Sequence, residues 1–281
     1  MEPWLILGIL SYFSYAISTS IDKHLMNYGH KPLTTNMFKM FFDGVVLLII
    51  GLIFFNLYLT PKLFFWSLLL GGIYAATGIL YFRSLQLDDI NKTMPYYKSS
   101  SLLLTFIGAI ILFNEAVNLF NYIGIILILI GIYVVLLEKK FKLPRLNKAI
   151  TLVLILAILS TAYSLLAKKL LFDIEPINLA IMMYFSSAII MALYLSVSKK
   201  QKKSFNIKSS KIMVSAFFGA IGTFFLYTAL SIGDASKIYA ISGIQLVFIF
   251  IIALIFLKEK FYLYRLIGTI TIILGTFLIS I

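Results

Sequence analysis

The sequence predicts an all-α integral membrane protein: ten transmembrane helices arranged as two inverted five-helix repeats. Three observations carry this expectation. They are the composition, a regular series of long apolar runs, and a register of charged residues that recurs after about 145 positions.

Of the 281 residues, 61% are hydrophobic and 12% are charged, and the mean hydropathy is +1.01. Soluble domains carry about a quarter charged residues and roughly half apolar ones. The deficit of polar surface excludes an ordinary soluble enzyme, a disordered chain and a nucleic-acid-binding domain. The net charge of +13 does not reverse this, because a nucleic-acid reader needs a basic face in water. The chain has no cysteine, which removes disulfides, thiol catalysis and thiolate metal sites. With His24 and His30 its only histidines, no metal, no cofactor and no catalytic residue is expected, and the protein is not read as an enzyme.

A helix needs about 20 apolar residues to cross the hydrocarbon core. Ten such runs follow one another: 3–21, 34–55, 63–82, 94–113, 118–137, 149–167, 176–196, 212–232, 236–257 and 262–281. Prolines 3, 32, 61, 144 and 176 fall at run boundaries, where a missing N–H costs little. Pro95 lies just inside the fourth run. Continuous apolar stretches such as 123–137 lack the alternation of a membrane β-barrel strand. The first run has no basic leader and carries Ser11, Tyr12, Ser14, Tyr15 and Ser18, so it reads as a structural helix rather than a removable signal. The longest polar segments are 138–148 and 197–211, and the functional machinery is therefore expected inside the membrane.

Laid on itself, the chain aligns Lys23 with Lys168, Leu85 with Leu230, Asp89 with Asp234 and Lys92 with Lys237. One deletion later, Glu115 meets Glu259, Gly124 meets Gly268, and Gly131 meets Gly275; Pro32 meets Pro176 at this same offset. Apolar sequence matches itself easily, but charges and helix breakers holding one register do not. The units are residues 1–137 as the first repeat, 138–148 as a basic linker and 149–281 as the second repeat. Five is odd, so the second repeat enters the membrane from the opposite side. Such inverted repeats are the architecture of alternating access.

Ionisable residues inside the runs are few, and each costs about 2.5–3.5 kcal/mol at a helix centre on insertion scales. Lys39 and Asp43 stand four apart on the second helix, share a face, and are placed to form an ion pair. Lys98 lies within the fourth. The functional expectation is that Lys39 and Lys98 bind a carboxylate at a central cavity, with Asp43 setting their charge state or receiving a substrate ammonium. Gln245 is the polar insertion of the ninth helix, and Tyr15, Tyr74, Tyr163, Tyr227 and Tyr239 are hydrogen-bonding candidates. Ser164 and Ser242, with Tyr12, could join them. The bland reading of each is a structural bridge, a lysine reaching the interface, or rings packing helices. Lys23, Lys92, Lys168 and Lys237 are expected to anchor helix ends, and Glu115 and Glu259 to orient the turns before helices five and ten. The glycine pairs offer close-packing surfaces, within the chain or at a dimer contact.

The segments Tyr81–Asp89 and Leu226–Ser236, the acidic residues Glu115 and Glu259, and the glycine-spaced fifth and tenth helices resemble the EamA-like repeat of the drug/metabolite transporter superfamily. The aromatic stretches Tyr15–Lys23 and Ser160–Lys168, and a basic residue in the second helix (Lys39), fit the same pattern. The resemblance spans the whole chain and implies a ten-helix transporter, with export the favoured direction. Departures are Asn114 and Lys258 where the family often has glycine, Leu102 and Leu246 where it often has proline, and Met183 opposite Lys39. The first helix has no acid before Asp22, which weakens a multidrug-type cation exchange.

Together these expectations describe a multi-pass protein of the cell membrane. It moves a small polar metabolite, an amino acid or related carboxylate, by alternating access, with or without a coupling ion. The partners are that small molecule and the lipid bilayer, with no nucleic acid, and the protein is a monomer or homodimer. The alternatives are a transporter of an organic cation such as choline through an aromatic cage, or a non-transporting membrane enzyme or scaffold. Of the 24 Lys and Arg, two lie inside helices, four lie on the side of the termini, and the remaining eighteen lie opposite. The positive-inside rule puts that basic face in the cytoplasm, whereas the family is usually described with cytoplasmic termini.

Overall fold

The computed structural model describes residues 2–137, 147–197, 210–256 and 263–279. Its helices are α1 (Pro3–Asn27), α2 (Pro32–Phe54), α3 (Pro61–Leu87), α4 (Ile90–Phe113) and α5 (Leu119–Leu136). The second set is α6 (Lys148–Leu170), α7 (Pro176–Val197), α8 (Ser210–Ile232), α9 and α10 (Leu263–Ile279). The ninth is interrupted: α9a (Ala235–Ala240) passes through a 3₁₀ turn (Ile241–Gly243) into α9b (Ile244–Phe256). Among the described residues, eight of these helical segments are long and apolar enough to span a membrane, while α5 and α10 are shorter apolar helices.

The starts follow from local chemistry. Proline occupies the first turn of α1, α2 and α3, where no intrahelical N–H is required. Thr60 accepts from the Leu63 N–H, Asn147 from Ile150, and Asn118 forms a reciprocal box with Asn121, each satisfying an orphan donor. Asn114 closes α4 with φ 52°. It stands where glycine was expected from the family pattern, and asparagine is the side chain that best tolerates this left-handed position.

Consecutive helices run in opposite directions. Tyr58 donates its backbone N–H to Asn178 Oδ1, and Lys62 pairs with Asp173 at 2.7 Å. These contacts place the starts of α3 and α7 at the same end of the bundle. The first helix of repeat one therefore rises from that end, and the first helix of repeat two rises from the other, which is the inversion. The packing obeys the same pseudo-two-fold: α1 lies on α8 as α6 lies on α3, α2 packs on α7, and α5 packs on α10. The finest signature is chemical. Lys23 donates to the Leu85 and Asp88 carbonyls, both at 2.8 Å, and Lys168 donates to Leu230 and Gly233, also both at 2.8 Å. In each repeat the first helix supplies an ammonium that satisfies orphan carbonyls at the end of the third. These lysines cap a neighbour rather than anchor their own helix.

The glycines of α5 and α10 face one another. A methyl on Gly124 would stand 2.7 Å from the Gly275 carbonyl oxygen, and one on Gly131 would stand 2.6 Å from that of Gly268. Their close-packing surface is used inside the chain. Glu115 differs from expectation: instead of serving the turn before α5, its two carboxylate oxygens accept the Ala235 and Ser236 N–H groups at 2.7 Å. It thus caps α9a, where a negative charge is favoured. Glu259, its repeat partner, lies outside the described residues.

Candidate functional site

A cavity of 190 Å³ opens between the two repeats, lined by residues of α1–α4 and α6–α9. Lys39, Asp43, Lys98, Tyr15, Tyr74, Tyr163, Tyr239 and Gln245 all lie on its wall. Tyr227 stands behind the wall, fully buried, with its hydroxyl hydrogen-bonded to that of Tyr163. The pocket is smaller than the roughly 300–1,000 Å³ of drug-sized sites.

The ionic part lies where α1, α2 and α8 meet. Lys39 Nζ donates to Asp22 Oδ2 at 2.6 Å and to Ser18 Oγ at 2.6 Å. The same Asp22 carboxylate accepts from the Tyr81 hydroxyl at 3.1 Å and from Ser215 Oγ. The Lys39 and Asp22 side chains are 14% and 1% exposed. The Lys39–Asp43 pair allowed by the spacing is therefore corrected. Four-residue spacing gave Lys39 a carboxylate on its own helix, but α1 brings a second one equipped with two further donors. Asp43 is buried beside this pair, and among the described residues its Oδ1 has no hydrogen-bond partner. Gly219 of α8 allows the close approach, because a methyl there would stand 2.7 Å from that oxygen.

Lys98 lies on the part of the wall that α4 supplies. Among the described residues it has no acidic partner, and its ammonium instead faces the rings of Tyr12 at 5.4 Å and Tyr97 at 5.5 Å. Ring faces attract a cation weakly, by about 0.5–2 kcal/mol, and leave its hydrogen-bond donors available.

Tyrosines build the remaining wall. Tyr74 packs on Tyr163 with ring centroids 5.1 Å apart and planes tilted by 37°, and meets Tyr184 edge-on at 5.4 Å. The Tyr184 and Tyr15 hydroxyls converge on Thr223 Oγ1 at 2.6 and 2.8 Å. Tyr12 donates to the Ile238 carbonyl and Tyr239 to that of Ser164, tying α1 and α6 to the broken ninth helix. Gln245 follows the 3₁₀ turn, donates Nε2 to Thr19 at 3.3 Å, and keeps Oε1 without a partner among the described residues. A 3₁₀ stretch inside a helix marks a hinge or a functional site.

Several wall residues were missed in the sequence. Asp22 fell just beyond the first apolar run because its charge lowers local hydropathy, although its salt bridge lets the helix continue five residues further. Tyr97 and Tyr184 were indistinguishable from the other aromatics by pattern. Gly219 carries no signal beyond being glycine. No group of three or more His, Cys, Asp or Glu capable of holding a metal occurs among the described residues.

Among curated proteins nothing matches the chain. One solved structure, described only as the crystal structure of a protein, is similar with a TM-score of 0.77 over 98% of each chain. Its identity is 14%, so the likeness shows the fold alone. The EamA-like transporter family matches twice, over residues 2–137 and 147–281. The two matched segments are the two five-helix halves that the capping lysines relate, and the chain belongs to the EamA-like transporter family.

Proposed function

We propose that the protein is a secondary transporter whose central cavity binds a small polar metabolite carrying a carboxylate, an amino acid or a related acid, and exports it by alternating access. The observation that supports this most is Lys98: a cation inside a small cavity, facing rings and, among the described residues, lacking an acidic partner. A cation held this way is costly unless an anion joins it. Lys39 does not share the task, since Asp22 already neutralises it. Tyr15, Tyr74, Tyr163, Tyr239 and Gln245 supply hydroxyls and an amide to the rest of the substrate, and Tyr227 holds Tyr163 in place. An organic cation would gain the tyrosine faces but would meet the charge of Lys98.

A thermal-shift screen of the purified protein tests this reading, with amino acids, their deaminated acids, choline and sugar phosphates as probes. A ligand at 100 times its dissociation constant stabilises the folded state by about 2.7 kcal/mol. Carboxylate-bearing probes should raise the melting temperature, and Lys98→Gln should remove that shift without lowering the melting temperature of the free protein. A shift with choline alone, or one indifferent to Lys98→Gln, refutes the reading.

A further inference from the structure

The cluster between α1, α2 and α8 contains two buried carboxylates and one lysine. With both acids ionised it would hold a surplus negative charge away from water, and buried groups of that kind neutralise instead. The surroundings distinguish the two acids. Asp22 receives Lys39, Tyr81 and Ser215, whereas Asp43 keeps one oxygen without any donor among the described residues, pressed against Gly219. We propose that Asp43 is a proton-binding site of the transport cycle, and that Lys39 exchanges Asp22 for Asp43 when that proton leaves.

The geometry permits the exchange. The methyl position on Gly219 lies 2.7 Å from Asp43 Oδ1 and 3.4 Å from Lys39 Cε, so the two atoms are within about 6 Å of each other. Rotation about the flexible lysine stem carries Nζ across that gap. The charge balances throughout. One proton leaves the Asp43 carboxyl, the carboxylate formed takes the Lys39 ammonium, and Asp22, deprived of its cation, picks up one proton. At 1.5 Å per residue Asp22 lies about 8 Å from its end of α1, and Asp43 about 17 Å from the adjoining end of α2. The exchange therefore moves the protonated site along the membrane normal. The groups facing Asp43 are Tyr15 and Asp22 from α1, Lys39 on α2, Tyr74 from α3 and Tyr184 from α7. From α8 come Gly219 and the Ala220 backbone N–H. Phenols are neutral at physiological pH, so Lys39 and Asp22 are the charges that decide its state.

The coupling role rests on the transport reading, but the protonation itself is tested without a substrate, so the two can fail separately. Infrared spectra of the full chain in liposomes should show the carbonyl stretch of a protonated carboxylic acid at neutral pH. Asp43→Asn should remove that band, and Asp43→Glu should shift it, which covers the case in which the asparagine variant folds poorly. Asp22→Asn should also remove it, because Lys39 turns to Asp43 and ionises it. Adding Lys39→Met to Asp22→Asn should bring it back. A band absent from the unmodified protein, or persisting in Asp43→Asn, overturns the site. A band persisting in Asp22→Asn overturns the lysine exchange.

Discussion

Lys39 has two carboxylates within reach, and a double-mutant cycle tells which one holds it. Lys39→Met leaves Asp22 as a buried carboxylate, 1% exposed, with only two hydroxyl donors remaining. Removing one partner of a buried pair costs about 3–5 kcal/mol. The 14% exposure of Lys39 puts this variant at the lower end, about 3 kcal/mol. Asp22→Asn costs less, about 1 kcal/mol, because the freed ammonium has Asp43 on the next turn of its own helix. Lys39→Met combined with Asp22→Asn contains no unpaired charge and should stand within about 1 kcal/mol of the unmodified protein. The coupling energy is then about 3 kcal/mol, at the upper end of contacting pairs. Lys39→Met combined with Asp43→Asn should remain as unstable as Lys39→Met alone. The assay is equilibrium unfolding in mixed detergent, followed by circular dichroism. Recovery by Asp43→Asn instead of Asp22→Asn, or strict additivity in both cycles, refutes the assignment.

Three further outcomes follow from the packing and the charge distribution. Gly131→Ala puts a methyl 2.6 Å from the Gly268 carbonyl oxygen, and should cost about 1–3 kcal/mol by overpacking despite alanine's better helix propensity; an unchanged melting temperature would contradict the α5–α10 contact. Glu115→Gln replaces one of two accepting oxygens at the start of α9a and removes a charge from a helix N-terminus, a loss of about 1–2 kcal/mol that the same unfolding assay reads. Tags placed within 198–209 should be shielded from outside reagents in intact cells, while a tag after Ile281 is labelled; the reverse pattern would show that family topology overrides the basic loops.

The scaffold was legible because it rests on properties that sequence displays directly: apolar length, prolines at helix starts, and charges repeating at a fixed offset. Lys23 and Lys168 were visible as a pair, although their task was not, since a carbonyl acceptor leaves no trace in side-chain pattern. The ends of α1, α3 and α6 were read too short where a charge closed the run. Residues 22–27 belong to α1 and residues 83–87 to α3, and Asp22 and Lys23 find their partners inside the bundle. Part of the cavity wall was legible for a related reason: polar side chains in apolar runs are costly, and eight of the nine residues singled out by that test line the cavity. Partner choice was not legible. Lys39 follows Asp22 rather than Asp43 because of where α1 lies against α2 and α8, a tertiary fact that local spacing does not contain.

The two repeats share a scaffold but divide the chemistry. Equivalent ammonium caps, equivalent helix contacts and two family matches mark the symmetry. Yet the charged wall of the cavity belongs to repeat one, through Asp22, Lys39, Asp43 and Lys98, and Met183 occupies the place of Lys39 in repeat two. Repeat two contributes Tyr163, Tyr184, Tyr239 and Gln245, which donate and accept but carry no charge at physiological pH. Inversion exchanges the conformations of the halves, so each half must adopt both arrangements. A charge cluster in one half then meets a different neighbour in each state, whereas a cluster duplicated in both would meet the same neighbour twice. Under the transport cycle proposed above, this asymmetry would let a single proton or substrate charge favour one access state over the other, which is the differential interaction any ligand needs to shift a two-state equilibrium.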